Sequence, residues 1–164
     1  MVVVLMGVAG AGKTTVGRRL AQELGWTYYE GDDFHPPSNI EKMARGKPLN
    51  DADRDPWLDA LHELVQDLLR RGENAVLACS ALKRRYRKRL LVHRDSVRLV
   101  YLQGTREVLH RRIESRGGHF MSVDLLESQF EALEEPDASE GALWVDVSGS
   151  MGETTRAIRD RLGL

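Results

Sequence analysis

Eight consecutive residues near the start of the chain have the types and the spacing that bind phosphate. Residues 7–14 carry glycine at 7, 10 and 12 and end in Lys13 and Thr14, which is the G-x-x-x-x-G-K-[ST] pattern. The glycines allow successive amides to point at one anion, Lys13 can reach the β- and γ-phosphates of a nucleotide, and the Thr14 hydroxyl is a ligand for Mg²⁺. The alternative is a glycine-rich turn that binds nothing. We expect ATP to be bound by Gly7, Val8, Ala9, Gly10, Ala11, Gly12, Lys13, Thr14 and Thr15.

A group of carboxylates follows the second apolar run of the chain. Glu30, Asp32 and Asp33 stand together where that run ends. An acid near bound phosphate can accept a hydroxyl proton or hold a metal-bound water molecule. Alternation along a strand points Glu30 and Asp32 to the same side. A solvated turn would have the same composition, so the phosphate loop is what favours a catalytic role.

Two polar segments do not fit a minimal sheet-and-helix plan. Residues 32–55 are dense in hydrogen-bonding side chains, His35 among them, and predict a pocket for a polyhydroxylated or carboxylated small molecule. Asp51 or Asp53 can equally be the N-cap of the helix that follows. Residues 116–124 are interpreted as a mobile lid. Both segments can also be ordinary surface loops.

Basic residues occur in two informative places. Arg112 and Arg116 are four residues apart on a predicted helix, so they share a face from which an arginine could close over the triphosphate. A solvated basic face is the alternative. The run of residues 83–89 is the strongest concentration of charge. Most of it is expected to be solvated helix surface, with Lys83 turned toward a substrate.

The scaffold is predicted by apolar runs that alternate with segments whose apolar residues have helical spacing. This alternation is typical of β-α-β units, and therefore of an α/β fold with a parallel sheet. We expect a single domain over residues 1–164. The runs lie at residues 2–6, 27–30, 75–79, 97–103 and 143–147.

Composition excludes several classes of protein. The 164 residues include 24 basic and 25 acidic side chains, which argues against nucleic acid or an anionic membrane as the main partner. The lone Cys79 cannot form an intrachain disulfide and is expected to be a buried thiol. The amino terminus lacks the basic region of a signal peptide, and no stretch approaches the ~20 apolar residues of a membrane span, so a cytoplasmic location is expected.

Two missing motifs favour a small-molecule kinase. The third apolar run is followed by Ser80, where motor ATPases and GTPases have an aspartate, and no Asn-Lys-x-Asp guanine signature occurs. The acceptor could be a sugar acid, shikimate or a nucleoside monophosphate. A nucleotide-dependent RNA-binding or regulatory module that uses residues 83–89 is a further alternative, although its near-neutral charge disfavours it.

Over nearly its whole length the chain resembles the bacterial-type gluconokinases, relatives of shikimate and adenylate kinases. The most specific parts of the match are His35 with Pro36 and the Pro-Leu-Asn-Asp block at residues 48–51. The other matching segments are residues 7–14, 31–34, 39–43, 46–47, 52–54, 56–58, 79–83, 86–87, 116, 118–121, 128–131, 133–134 and 136.

The resemblance implies transfer of the ATP γ-phosphate to the 6-hydroxyl of D-gluconate. It implies a three-layer αβα sandwich with a five-stranded parallel sheet, a substrate-binding insert at residues 32–55, a lid and a homodimer. Lys13, Asp32 and Arg116 would be catalytic, and Arg112 would contact the nucleotide. Glu30, where the family usually has Asp, would meet Mg²⁺ through water. The gluconate contacts implied are Asp32, His35, Arg54, Ser80, Lys83, His119 and Gln129.

Overall fold

The computed structural model describes residues 1–115 and 123–164, and it confirms the parallel sheet. Three strands coincide with the predicted apolar runs, and β3 and β5 each end one residue earlier. Every pairing is parallel, in the order β2-β3-β1-β4-β5. The strands are β1 Val2–Met6, β2 Thr27–Glu30, β3 Ala75–Ala78, β4 Val97–Gln103 and β5 Leu143–Asp146.

Helices connect the strands, because parallel neighbours require a crossover. In the described part of the chain they are α1 Lys13–Leu24, α2 Pro37–Ala44, α3 Asp51–Arg70, α4 Arg84–Leu90, α5 Arg106–Ser115, α6 Val123–Ala132 and α7 Met151–Leu162. Short 3-10 turns occupy Gly31–Phe34 and Ala138–Glu140. No described helix is both long enough and apolar enough to cross a membrane.

The two faces of the sheet are each covered by helices, which confirms the three-layer arrangement. Val3 and Leu5 of β1 pack into one core with α1, α5 and α7. Val2 and Val4 pack into a second core with α3 and α4. All of these strand residues are fully buried, as expected for a parallel strand covered on both sides.

Helix α3 begins at Asp51, which lies inside the predicted insert and earlier in the chain than the sequence pattern predicts. Asn50 is the N-cap of α3: its side-chain oxygen accepts a hydrogen bond from the Asp53 amide at 2.8 Å, and the Asp53 carboxylate accepts from the Asn50 amide at 2.9 Å. This reciprocal pair satisfies two amides that the helix leaves unpaired. The alternative in which Asp51 or Asp53 is the cap is therefore wrong.

The order of the strands brings the candidate residues to one edge of the sheet. After β1 the chain crosses to β2 on one side and later to β4 on the other, so the carboxyl end of β1 lies at a switch point where α/β proteins bind ligands. The segments that follow β1 and β3 lie side by side at this edge, because the Gly7 amide donates a hydrogen bond to the Ser80 carbonyl at 3.4 Å.

Candidate active site

Residues 7–12 form the loop that joins β1 to the amino end of α1. Gly12 is the N-cap of α1 and has a φ of 91°, a conformation that other residues rarely adopt. A Cβ added to Gly12 would also lie 2.8 Å from the Met151 methyl carbon. No side chain caps α1, so its first amides and the positive end of its dipole face the loop. This geometry suits a phosphate.

Lys13 lies over this loop. Its Nζ donates to the Val8 carbonyl at 3.1 Å. Burial lowers the pKa of the Lys13 ammonium, and the nearby carboxylates of Asp32 and Glu30 act in the opposite direction. The structure therefore brings the predicted lysine and both predicted carboxylates into one electrostatic neighbourhood.

Thr14 and Glu30, the predicted metal-binding pair, are in direct contact. The Thr14 hydroxyl donates to Glu30 Oε2 at 2.7 Å, and the Tyr28 hydroxyl donates to the same oxygen at 2.6 Å. Hydroxyl and carboxylate oxygens are the hard donors that Mg²⁺ prefers, so these residues fit the ion. Within residues 1–115 and 123–164 no cluster of three His, Cys, Asp or Glu side chains competes as a metal site. Sequence reasoning missed Tyr28, although strand alternation places it on the side of Glu30.

Asp32 lies in the 3-10 turn that follows β2. The buried Trp57 indole donates to the Gly31 carbonyl at 2.7 Å and so fixes this turn. In the described chain no donor is bonded to the Asp32 carboxylate, which is solvent-accessible. Desolvation by the surrounding protein raises the pKa of Asp32, and the Lys13 ammonium opposes the rise. A carboxylate in this state can accept a proton.

His35 stacks on Trp57, with ring centroids 4.6 Å apart and an interplanar angle of 13°. Its Nδ1 lies 3.2 Å from Asn39 Nδ2. Burial lowers the pKa of His35, Asp32 opposes this, and Arg54 adds to it. His35 is thus close enough to the predicted substrate residues Asp32 and Arg54 for the charge of each to affect its pKa.

Arg54 and Lys83 come together around a tyrosine. The Arg54 guanidinium lies 5.8 Å from the centre of the Tyr86 ring, and its Nη1 donates to the Leu49 carbonyl at 2.8 Å. The Tyr86 hydroxyl and Lys83 Nζ both donate to Asp51 Oδ1, the latter at 3.1 Å. These two hydrogen bonds lower the pKa of Asp51. Tyr86 and Asp51 thereby join the predicted cluster.

The basic run at residues 83–89 is only partly solvated. Arg84, Arg85 and Lys88 are exposed as expected, but Arg87 is buried and paired with Glu140. No local signal distinguishes this arginine from its neighbours, because its partner is 53 residues away.

Cys79, at the end of the third predicted run, is buried as predicted. Burial raises the pKa of its thiol to about 12, so it is not a ready nucleophile.

Gln129 contacts the phosphate loop. Its side-chain oxygen accepts a hydrogen bond from the Ala9 amide at 2.6 Å. The Ser80 carbonyl accepts a hydrogen bond from the Gly7 amide. Gln129 and Ser80, two of the predicted substrate residues, therefore both contact the phosphate loop.

Arg112 lies on α5, against the segment that joins β5 to α7. Its Nη2 donates to the carbonyls of Val147 and Gly149, the latter at 3.1 Å. Arg116, His119 and most of the predicted lid at residues 116–124 lie outside the described residues. Val123 and Asp124 form the start of α6.

Comparison with known proteins agrees with this architecture. The sequence profile of a family described as an AAA domain matches residues 2–136. A probable gluconokinase of Xenopus tropicalis is 47% identical, covering 90% of this chain and 85% of that protein. The gluconokinase of Gluconobacter oxydans is 46% identical, covering 87% of this chain and 80% of its own.

The chain belongs to the gluconokinase family. The family resemblance drawn from the sequence is thereby confirmed. A solved gluconokinase from Sinorhizobium meliloti 1021 superposes with a TM-score of 0.86 at 43% identity, covering 98% of this chain and 91% of that one. The similarity to a gluconokinase fold thus extends over nearly the whole chain.

Proposed function

We propose that this protein is a gluconokinase, which transfers the γ-phosphate of ATP to the 6-hydroxyl of D-gluconate and releases 6-phosphogluconate and ADP. The observation that carries the proposal is the location of Asp32 in a chain of this family. The charges of Lys13 and of His35 both act on the Asp32 carboxylate, and the charge of Arg54 acts on His35.

The proposed reaction is an in-line displacement in which Asp32 acts as the general base. Asp32 aligns the 6-hydroxyl and accepts its proton while the oxygen bonds to the γ-phosphorus and the bond to the ADP oxygen breaks. Lys13 stabilises the charge that moves onto the transferred group. Arg116 is assigned the same role from the sequence. Thr14 would hold Mg²⁺, with Glu30 acting through water, and the ion supplies charge neutralisation at the phosphate oxygens.

Recognition of gluconate is assigned to the insert and to α4. The cations of Arg54 and Lys83 suit the carboxylate of a sugar acid, and His35 suits a hydroxyl or carboxylate oxygen. Ser80 and His119 are proposed as further contacts. The hydrogen bond between Gln129 and Ala9 supports a place for Gln129 where the phosphate and the acceptor meet. Arg112 is proposed to contact the nucleotide, with residues 116–124 as a closing lid.

The family also suggests the setting in which the protein works. We propose a homodimer that acts in the cytoplasm. The buried thiol of the lone Cys79 supports a reducing compartment. Sedimentation of the purified protein tests the dimer.

A panel of acceptors tests the function. Release of ADP is measured in the presence of ATP and Mg²⁺ with gluconate, other sugar acids, shikimate and nucleoside monophosphates. We expect turnover with gluconate to exceed turnover with shikimate and the monophosphates. Asp32→Asn should reduce kcat at least about a hundredfold while ATP still binds. Asp33→Asn, an exposed acid of the same turn, is the matched control. No phosphorylation of gluconate by the native protein, or equal rates for the two variants, would refute the assignment.

A further inference from the structure

Asn39 is a buried amide between His35 and the backbone of α3. It is 3% exposed, and its Nδ2 lies 2.7 Å from the Asp53 carbonyl oxygen and 3.2 Å from His35 Nδ1. A backbone carbonyl can only accept a hydrogen bond, so the atom facing it must be the amide nitrogen rather than the amide oxygen. The same nitrogen therefore faces His35.

This orientation determines where the imidazole proton lies. The amide nitrogen has two hydrogens, one for Asp53 and one for His35, so Nδ1 must accept. A neutral imidazole that accepts at Nδ1 carries its proton at Nε2. The stack on Trp57 fixes the plane of the ring. Asp32 and Arg54 are the charged groups that act on this ring within the described chain, and burial favours its neutral form.

We propose that Asn39 is a positioning residue that holds His35 in the Nε2–H tautomer, so that His35 offers the sugar acid one uncharged donor of fixed direction. This rests on the proposed function only for the identity of the substrate.

The alternatives to this tautomer would work less well beside Asp32. An unprotonated Nε2 could not donate a hydrogen bond to a substrate oxygen. An imidazolium would add a positive charge near Asp32, which would lower the pKa of that carboxylate and reduce its basicity. The Nε2–H tautomer avoids both outcomes, because it donates without adding charge.

The tautomer can be measured directly in the native protein. Nitrogen-15 NMR of histidine-labelled protein distinguishes protonated from unprotonated ring nitrogens, and a spectrum of His35→Gln assigns His35 among the five histidines. At neutral pH we expect an unprotonated Nδ1 and a protonated Nε2. A protonated Nδ1 overturns the proposal. The spectrum needs no turnover, so its result is independent of whether gluconate is the acceptor.

Substitution of Asn39 tests the consequence for the reaction. In Asn39→Asp the carboxylate can only accept, so it takes the proton at Nδ1 and Nε2 ceases to be a neutral donor. We expect the KM for gluconate to rise about tenfold, the effect of one lost hydrogen bond to substrate, while the KM for ATP changes less than about twofold. Asn50→Asp is the matched control, because aspartate caps a helix as well as asparagine does.

A double-mutant cycle separates positioning from general damage to the fold. His35→Gln keeps a side-chain N–H donor but has no tautomers, so Asn39→Asp should add little to the KM for gluconate in that background. Full additivity of the two changes would overturn the proposal, as would equal rises in KM for gluconate and ATP in Asn39→Asp.

Discussion

The buried ion pair between Arg87 and Glu140 gives a direct test of how the loop before Lys83 is stabilised. The Arg87 and Glu140 side chains are 1% and 6% exposed, and their two hydrogen bonds measure 2.6 Å and 2.9 Å. Arg87 Nη1 also donates to the carbonyls of Ala81 and Leu82 at 3.0 Å and 3.1 Å. One guanidinium thus joins α4, the 3-10 turn at Ala138–Glu140, and the loop that leads to Lys83.

Substitution of Arg87 and substitution of Glu140 should lower the free energy of unfolding by different amounts. Arg87→Met leaves a buried carboxylate without its cation and two buried carbonyls without a donor, so we expect a loss near the upper end of about 3–5 kcal/mol. In Glu140→Gln, Arg87 keeps its hydrogen bonds to both carbonyls, and the glutamine amide oxygen can still accept from it. The loss in the free energy of unfolding should therefore lie near about 3 kcal/mol. Replacing both residues by methionine should recover part of the loss, because no charge is then left buried alone.

Urea denaturation at pH 7 measures these differences in the free energy of unfolding, through the midpoint at constant m. Arg84→Met is the matched control. Arg84 lies on the same helix and pairs with Asp137 at 2.7 Å, but both side chains are nearly half exposed, so its loss should cost at most about 1 kcal/mol. If Arg87→Met costs no more than Arg84→Met, the reasoning about the buried pair is refuted.

The same pair predicts the sign of a pH dependence. Arg87 lowers the pKa of Glu140 below its ordinary value of 4.5. A carboxylate whose pKa is lower in the folded protein stabilises it fully above the unfolded value, and this contribution disappears as the pH falls through the folded value. Glu140→Gln should therefore flatten the decrease in stability below about pH 5 relative to the native protein.

Three further predictions concern the phosphate side. Lys13→Ala should lower kcat at least about a hundredfold, measured by ADP release, because a preorganised cation is lost. Gly12→Ala should weaken ATP binding in calorimetry, since residue 12 has a φ of 91° and an added methyl would lie 2.8 Å from a neighbouring side chain. Gly25→Ala, at a φ of 67° with nothing within 4 Å, should cost only about 1 kcal/mol of stability and leave ATP binding unchanged. Tyr28→Phe should raise the Mg²⁺ concentration needed for half-maximal activity, because Glu30 loses a 2.6 Å hydrogen bond. An unchanged Mg²⁺ requirement would show that Tyr28 does not orient the Glu30 carboxylate.

The phosphate loop and the sheet were predictable because their signals are local. A phosphate loop is built from backbone geometry within one short segment, so glycine spacing specifies it. The strands of a parallel sheet are buried on both faces and therefore read as continuous apolar runs. The loop beginning at Gly7 and the strand Val2–Met6 lie where the sequence predicts.

The arrangement of the residues around Asp32 was less predictable from the sequence. His35, Arg54 and Lys83 could be selected as polar residues near one sheet edge. The burial of Arg87 depends on a partner 53 residues away, and the orientation of Asn39 depends on a backbone carbonyl of another helix. Such long-range pairs have no sequence spacing by which they could be recognised.

The proposed binding of a sugar acid by Lys83 and Arg54 predicts that the two cations contribute unequally. Lys83 is already paired with Asp51 at 3.1 Å. Arg54, by contrast, donates to a backbone carbonyl and lies 5.8 Å from the centre of the Tyr86 ring, and no carboxylate within residues 1–115 and 123–164 forms an ion pair with it. A substrate carboxylate would therefore gain more from Arg54 than from Lys83, because the latter must first give up part of its interaction with Asp51. Discrimination against an acceptor that lacks the carboxylate should accordingly depend chiefly on Arg54.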